Sequence, residues 1–168
     1  INTRQAAWLL GSRLSLAALA NDRGIAAEDV PKWFQEARSM ADLLQVPLGE
    51  LPARPAESTS NGPSREVLAY LVDQGKTIGG QLTANQSAEN AALFQMAWTS
   101  NLLLVMNQPD LAPVQHVIKL VTGAAQRAQL PPKLWQPLLD TLANGSPPAA
   151  VRTAVRQMHA DVESHLGG

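Results

Sequence analysis

Cysteine is missing from the 168-residue sequence, and its absence excludes several kinds of chemistry. Disulfide bonds, catalysis by a thiolate and zinc sites built from cysteine all need a residue that this chain does not have. The absence assigns no compartment, because cytosolic and exported proteins can both lack cysteine.

Charged residues are also scarce, at 16% of the chain, whereas about a quarter is typical. The 13 basic and 14 acidic residues are scattered, and a nucleic-acid-binding surface concentrates basic side chains, so we expect no nucleic-acid partner. The longest clean apolar run, Leu102–Met106, is far shorter than the roughly 18 residues of a membrane-spanning helix, so we expect no membrane span. The 45% hydrophobic content argues against a disordered chain.

Helical periodicity dominates the sequence. Near the N terminus, one apolar stripe is formed by Ala6, Leu10, Leu14 and Ala17, and the turn residues Asn21–Gly24 end that helix. Further helices are predicted to begin near Asp29–Pro31, Ser64, Ser87, Asp110 and Leu134, and a last helix carries Val151–Leu166. No segment alternates with a period of two, so no sheet is expected. The sequence therefore predicts a single all-α domain over residues 1–168, a bundle of about six helices.

Some details of these helices are open. Gly75, Gly79 and Gly80 lie inside the third helix, and each glycine costs about 1 kcal/mol relative to alanine. Either a neighbouring helix approaches closely there or the helix breaks. We expect the fourth helix to extend to Asn107, Pro137 to limit where the sixth begins, and residues 48–63 to form a long loop.

The two halves, residues 1–84 and 85–168, resemble each other weakly. Each half has the order helix, proline-started helix, proline stop, long connection and helix, although sequence identities are few. We interpret this order as an internal repeat. It predicts two three-helix units related by a pseudo-two-fold axis, with a seam between them where a pocket could form.

Four local features suggest binding or modification, and each has a simpler structural interpretation. Gln74–Thr77 resembles the end of a phosphate-binding loop but lies in a helical pattern without the first glycine. His159–His165 contains two metal-capable pairs, but on different faces of a helix end that we expect to be solvated. His116 is expected to be a surface residue.

Asn85–Ser87 and Asn144–Ser146 match the glycosylation pattern, and both are better explained as caps or turns.

Four tryptophans carry most of the aromatic area. Trp33, Trp98 and Trp135 lie on predicted apolar stripes, so core packing is expected for them. Trp8 lies off the cleanest stripe, and we therefore expect it to be exposed or to contact a partner.

The sequence leaves two functions open. It shows no paired carboxylates on one face and no glycine-flanked nucleophile, so a non-enzymatic interaction or scaffold domain is expected, with a protein partner or a second copy of the chain. The alternative is a small-molecule-binding bundle with an apolar pocket between the halves, lined by Trp and Met. An enzyme ranks third. No catalytic or cofactor-binding residue is assigned, and neither a metal nor another cofactor is expected.

The N-terminal residue is Ile1 and the first methionine is Met40. We therefore expect either a mature exported chain or a domain cut from a longer protein. The sequence does not decide between these two origins, so it assigns no compartment.

Overall fold

The computed structural model describes residues 1–54, 62–85, 87–105 and 111–168. These residues form seven α-helices and one short 3₁₀ helix, with no strand among them, which confirms the predicted all-α bundle. The elements are α1 (Thr3–Arg23), α2 (Val30–Leu44), α3 (Arg65–Asn85), α4 (Ala88–Ser100), the 3₁₀ helix (Asn101–Leu104), α5 (Leu111–Arg127), α6 (Pro132–Ala143) and α7 (Pro148–Gly167). Part of the predicted 48–63 loop, residue 86, and the predicted helix boundaries Asn107 and Asp110 lie outside the described residues. No described helix is long and apolar enough to cross a bilayer.

The first helix is the centre of the bundle. It packs along α2 and α4 and also touches α3 and α7. Its backbone lies so close to α4 that a Cβ atom at Gly11 would be 2.5 Å from the carbonyl oxygen of Phe94. The helix begins at a capping box between Asn2 and Gln5, and it ends at Gly24, whose φ of 65° is left-handed. The predicted end of this helix is therefore confirmed.

The expectation that Trp8 is exposed is wrong. Its side chain is 0% exposed and belongs to the main core cluster, which contains residues from all seven helices. The prediction assumed that α1 has a solvent-facing side, whereas neighbouring helices cover Trp8 completely. A position off the apolar stripe of a central helix is still buried.

The glycines of α3 do not break that helix, which is continuous from Arg65 to Asn85. A Cβ atom at Gly75 would lie 2.9 Å from Nε1 of Trp98, while nothing lies within 4 Å of one at Gly80. Nε1 of Trp98 donates a hydrogen bond to the backbone oxygen of Leu71, 3.1 Å away. Close approach between helices therefore explains Gly75.

Two helix boundaries differ from expectation. The α-helical part of α4 ends at Ser100, well before Asn107, and the chain tightens there into the 3₁₀ helix. The side chain of Asn101 donates hydrogen bonds to α1 at this point, which fixes the tightened turn. The sixth helix begins at Pro132 and includes Pro137 in its interior, so Pro137 does not delay its start.

The two halves of the chain contact each other through their first and last helices. Helix α3 packs against α4, and α7 packs against α1, so the last helix of each half touches the first helix of the other. The helix α6 lies within the connection of the second half and is an addition to the repeating order. The pseudo-two-fold axis stays a prediction.

Candidate ligand-binding cavity

A buried histidine joins the two halves of the chain. His159 of α7 is 7% exposed, and its ring contacts the ring of Trp8 with centroids 4.9 Å apart. Its Nδ1 lies 3.1 Å from Oγ of Ser12 on α1, and its Nε2 lies 2.8 Å from Oγ of Ser100 on α4. The expectation of a solvated helix end is therefore wrong for His159, because α1 and α4 cover this face of α7.

The neighbouring donors fix the direction of these hydrogen bonds. Nη1 of Arg13 donates to Oγ of Ser12 at 3.1 Å, which leaves the hydroxyl hydrogen of Ser12 for Nδ1 of His159. The hydroxyl of Ser100 donates to the carbonyl of Ala97 at 3.4 Å and accepts a hydrogen bond from Nε2. This arrangement corresponds to the tautomer of His159 that is protonated on Nε2, in which the bonds run in one direction from α1 to α4.

Burial keeps this imidazole neutral. Loss of hydration, and to a smaller extent the positive charge of Arg13, together lower the pKa of His159 from its usual 6.5 to about 3. A neutral ring offers one donor and one acceptor, which is what the two serines require.

An ion-pair network surrounds the residue next to Ser12. Nε of Arg13 lies 2.9 Å from Oε2 of Glu36 on α2, and Nη2 lies 2.8 Å from Oε1 of Glu163 on α7. His159 and Glu163 are one helical turn apart and form one of the metal-capable pairs suggested by the sequence. In the structure Glu163 is paired with Arg13 instead. Asp161 accepts a hydrogen bond from the amide of Gln157, and no group of three metal-capable side chains occurs among the described residues.

A cavity of about 450 Å³ lies beside these polar groups. Its volume falls within the usual range for small-molecule sites, roughly 300–1,000 Å³. Apolar side chains from four elements form its walls, including Leu16, Leu19, Trp33, Leu104 and Val155. Ser12, Asn101 and His159 supply the buried polar lining, and the exposed side chains of Ile25 and Arg156 mark its open side. The cavity therefore combines apolar walls with a small buried polar surface.

The Ser12–His159 contact resembles a nucleophile beside a base, but its setting differs from that of a catalytic pair in two ways. A base works best with a pKa near the working pH, and that of His159 is far lower. Ser12 lies in the middle of α1, where backbone N–H groups serve the helix rather than an oxyanion.

The structure places the other candidate residues away from this cavity. Gln74–Thr77 lies inside α3, His116 is exposed on α5, and Ser87 caps α4. Asn144 follows the last residue of α6. Trp98 and Trp135 are buried as predicted, and each donates a hydrogen bond to a backbone carbonyl.

Trp33 is only partly buried and lines the cavity, so the expectation that it packs in the core holds only in part. The polar residues Ser12, Ser100 and Asn101 were not identified from the sequence. The one available signal was that each interrupts an apolar helical segment, and this signal is weak because serine often occurs inside helices.

A second, shallower groove lies between α3, α4 and α5. Leu68, Val72 and Leu120, three of the large apolar side chains that remain exposed, line it. Its volume is about 350 Å³. Among the described residues, this groove shares no lining residue with the cavity beside His159.

No protein-family model matches the chain, and searches of curated proteins and of solved structures likewise found no match.

Proposed function

We propose that this domain binds a small, largely apolar molecule in the cavity between α1, α7 and the 3₁₀ helix. One observation carries the proposal: a cavity of about 450 Å³ with apolar walls has buried polar side chains on its lining. Apolar contact area supplies most of the affinity in such sites, and a few fixed polar groups orient the ligand. Described residues of both halves line the cavity. Among them Trp33 is the one tryptophan and there is no methionine, which departs from the lining by Trp and Met that the small-molecule alternative expects.

A cavity-filling variant tests this proposal. Ala160 lines the cavity on α7 and is itself exposed, so Ala160→Trp should fill the opening without removing core contacts. Ala149→Trp, at an exposed alanine of the same helix away from the cavity, is the matched control. Native mass spectrometry of the purified domain would first report any retained ligand. We expect the ligand mass, or binding of added apolar probes by calorimetry, to disappear in Ala160→Trp and to persist in Ala149→Trp. Equal binding by both variants would refute the proposal.

An interaction or scaffold function is the second candidate, and the groove of Leu68, Val72 and Leu120 favours it. Exposed apolar side chains that cluster in one groove are typical of protein-binding surfaces. A second copy of the chain is the occupant that can be tested with the purified domain alone. Self-association through this groove predicts a concentration-dependent dimer that Val72→Asp abolishes. A chain that remains monomeric at high concentration would exclude the second copy.

A further inference from the structure

Asn101 occupies a special position on the cavity lining. It is 3% exposed, begins the 3₁₀ helix and lines the cavity. Its Nδ2 donates two hydrogen bonds to α1, to the backbone oxygen of Ser12 and to Oγ of Ser15, both at 3.0 Å. A carbonyl oxygen can only accept, so the contact with Ser12 fixes which end of the amide faces α1.

The other end of this amide has no partner. No donor among the described residues forms a hydrogen bond with Oδ1 of Asn101. Among the described residues, the side-chain polar atoms that are inaccessible and lack a hydrogen-bond partner are Nε of Arg4 and Nε1 of Trp8. Oδ1 of Asn101 is not one of them, so this unpaired atom is accessible from the cavity. Because Oδ1 is open to the cavity, a ligand that fills the cavity either donates a hydrogen bond to it or leaves it covered without a partner, which costs the free energy of a hydrogen bond.

The neighbouring polar groups already have partners. Both ring nitrogens of His159 bond to serines, and Oγ of Ser12 lies between Arg13 and His159. The open acceptor of Asn101 is therefore the polar atom of this buried lining that can discriminate between ligands.

We infer that the ligand is a neutral amphiphile whose buried end carries a hydroxyl or amide N–H that donates to Oδ1 of Asn101; this inference rests on the proposed function. A carboxylate at the same place would set one negative oxygen against another. An ammonium group would lose its hydration close to the guanidinium of Arg13, and the carboxylate of Glu163 on the same lining is already paired with that guanidinium. The apolar body of the ligand then lies against Leu16, Leu19 and Trp33.

A ligand pair on the unchanged protein tests the donor without altering Asn101, whose Nδ2 also holds α1. The probes are 4-propylphenol and 4-propylanisole, which have the same propylphenyl body. The phenol oxygen carries a hydrogen that can be donated, and the anisole oxygen carries a methyl group instead. Isothermal titration calorimetry at pH 7 measures both, together with 4-propylbenzoate as the anionic member. Ala160→Trp reports whether binding occurs in this cavity, and Arg156→Gln reports whether the exposed arginine at its opening attracts an anion.

We expect the phenol to bind about tenfold more tightly than the ether, with both losing affinity in Ala160→Trp. Equal affinities that are both lost in Ala160→Trp would overturn the inferred donor while supporting the proposed function. Tighter binding of the benzoate that depends on Arg156 would overturn it in favour of an anionic ligand. Absence of binding by all three probes, or binding that Ala160→Trp leaves unchanged, would overturn both the inference and the proposed function.

Discussion

Acid should destabilise this fold through His159 alone before the carboxyl groups titrate. The unfolded chain takes up a proton on histidine near pH 6.5, whereas burial lowers the pKa of His159 in the folded chain to about 3. Between these values the unfolded state binds more protons than the folded state, so stability falls as the pH falls. The stabilisation is complete above pH 6.5 and is lost progressively towards pH 3.

The size of the effect between pH 7 and pH 5 depends on the unfolded pKa, because the folded histidine stays neutral throughout that interval. Linkage from a pKa of 6.5 gives a loss of about 2 kcal/mol over these two pH units. Among the groups near the ring, the positive charge of Arg13 on α1 acts in the same direction as burial, and Ser100 on α4 is neutral. The carboxylates of Glu36 and Glu163 act in the opposite direction, but both are paired with Arg13.

Urea denaturation at half-unit steps from pH 7 to pH 5 measures this loss directly. His159→Gln should flatten the dependence even if it lowers stability at pH 7 by leaving the serines without partners. His116→Gln and His165→Gln, at exposed histidines, are the matched controls and should keep the wild-type slope. An NMR titration that shows His159 gaining a proton near pH 6.5 would refute the reasoning.

Four further substitutions test the packing and the position of the ligand. Gly11→Ala should destabilise the fold by about 1–3 kcal/mol in urea denaturation, because the new Cβ meets the backbone oxygen of Phe94. Gly80→Ala, whose new Cβ meets nothing within 4 Å, should instead stabilise the fold by up to about 1 kcal/mol. Equal effects of the two substitutions would contradict the close approach of α1 to α4. Trp98→Ala should cost about 3–5 kcal/mol as a core truncation, yet leave calorimetric ligand binding unchanged because Trp98 does not line the cavity. A bound ligand should change tryptophan fluorescence, and Trp33→Phe should remove most of that change; an unchanged response would mean that the ligand lies elsewhere.

Local chemistry explains which parts of the fold could be predicted. The end of α1 at Gly24 and the start of α2 before Pro31 depend on residues within one turn of the boundary. The end of α4 depends instead on Asn101 reaching α1, about 90 positions away in the sequence. Sequence signals of capping therefore located the first two boundaries and missed the third.

Burial was predicted less well because it depends on which helices become neighbours. Trp8 was expected at the surface and Trp33 in the core, but Trp8 is sealed and Trp33 faces the cavity. The same cause explains the error at His159, since a helix end is solvated only when no other helix covers it. Periodicity identifies one apolar face and gives no information about how many partners a helix has.

The buried polar part of the cavity lining comes from positions 12, 101 and 159, which no local pattern connects. Their hydrogen bonds nevertheless form one system: Asn101 holds the carbonyl of Ser12, whose hydroxyl bonds to His159. A lining fixed in this way needs little reorganisation when a ligand enters, which lowers the free-energy cost of binding. Because the other buried polar groups are already bonded to one another, shape and apolar area should set affinity, and the single acceptor on Asn101 should set the ligand's orientation.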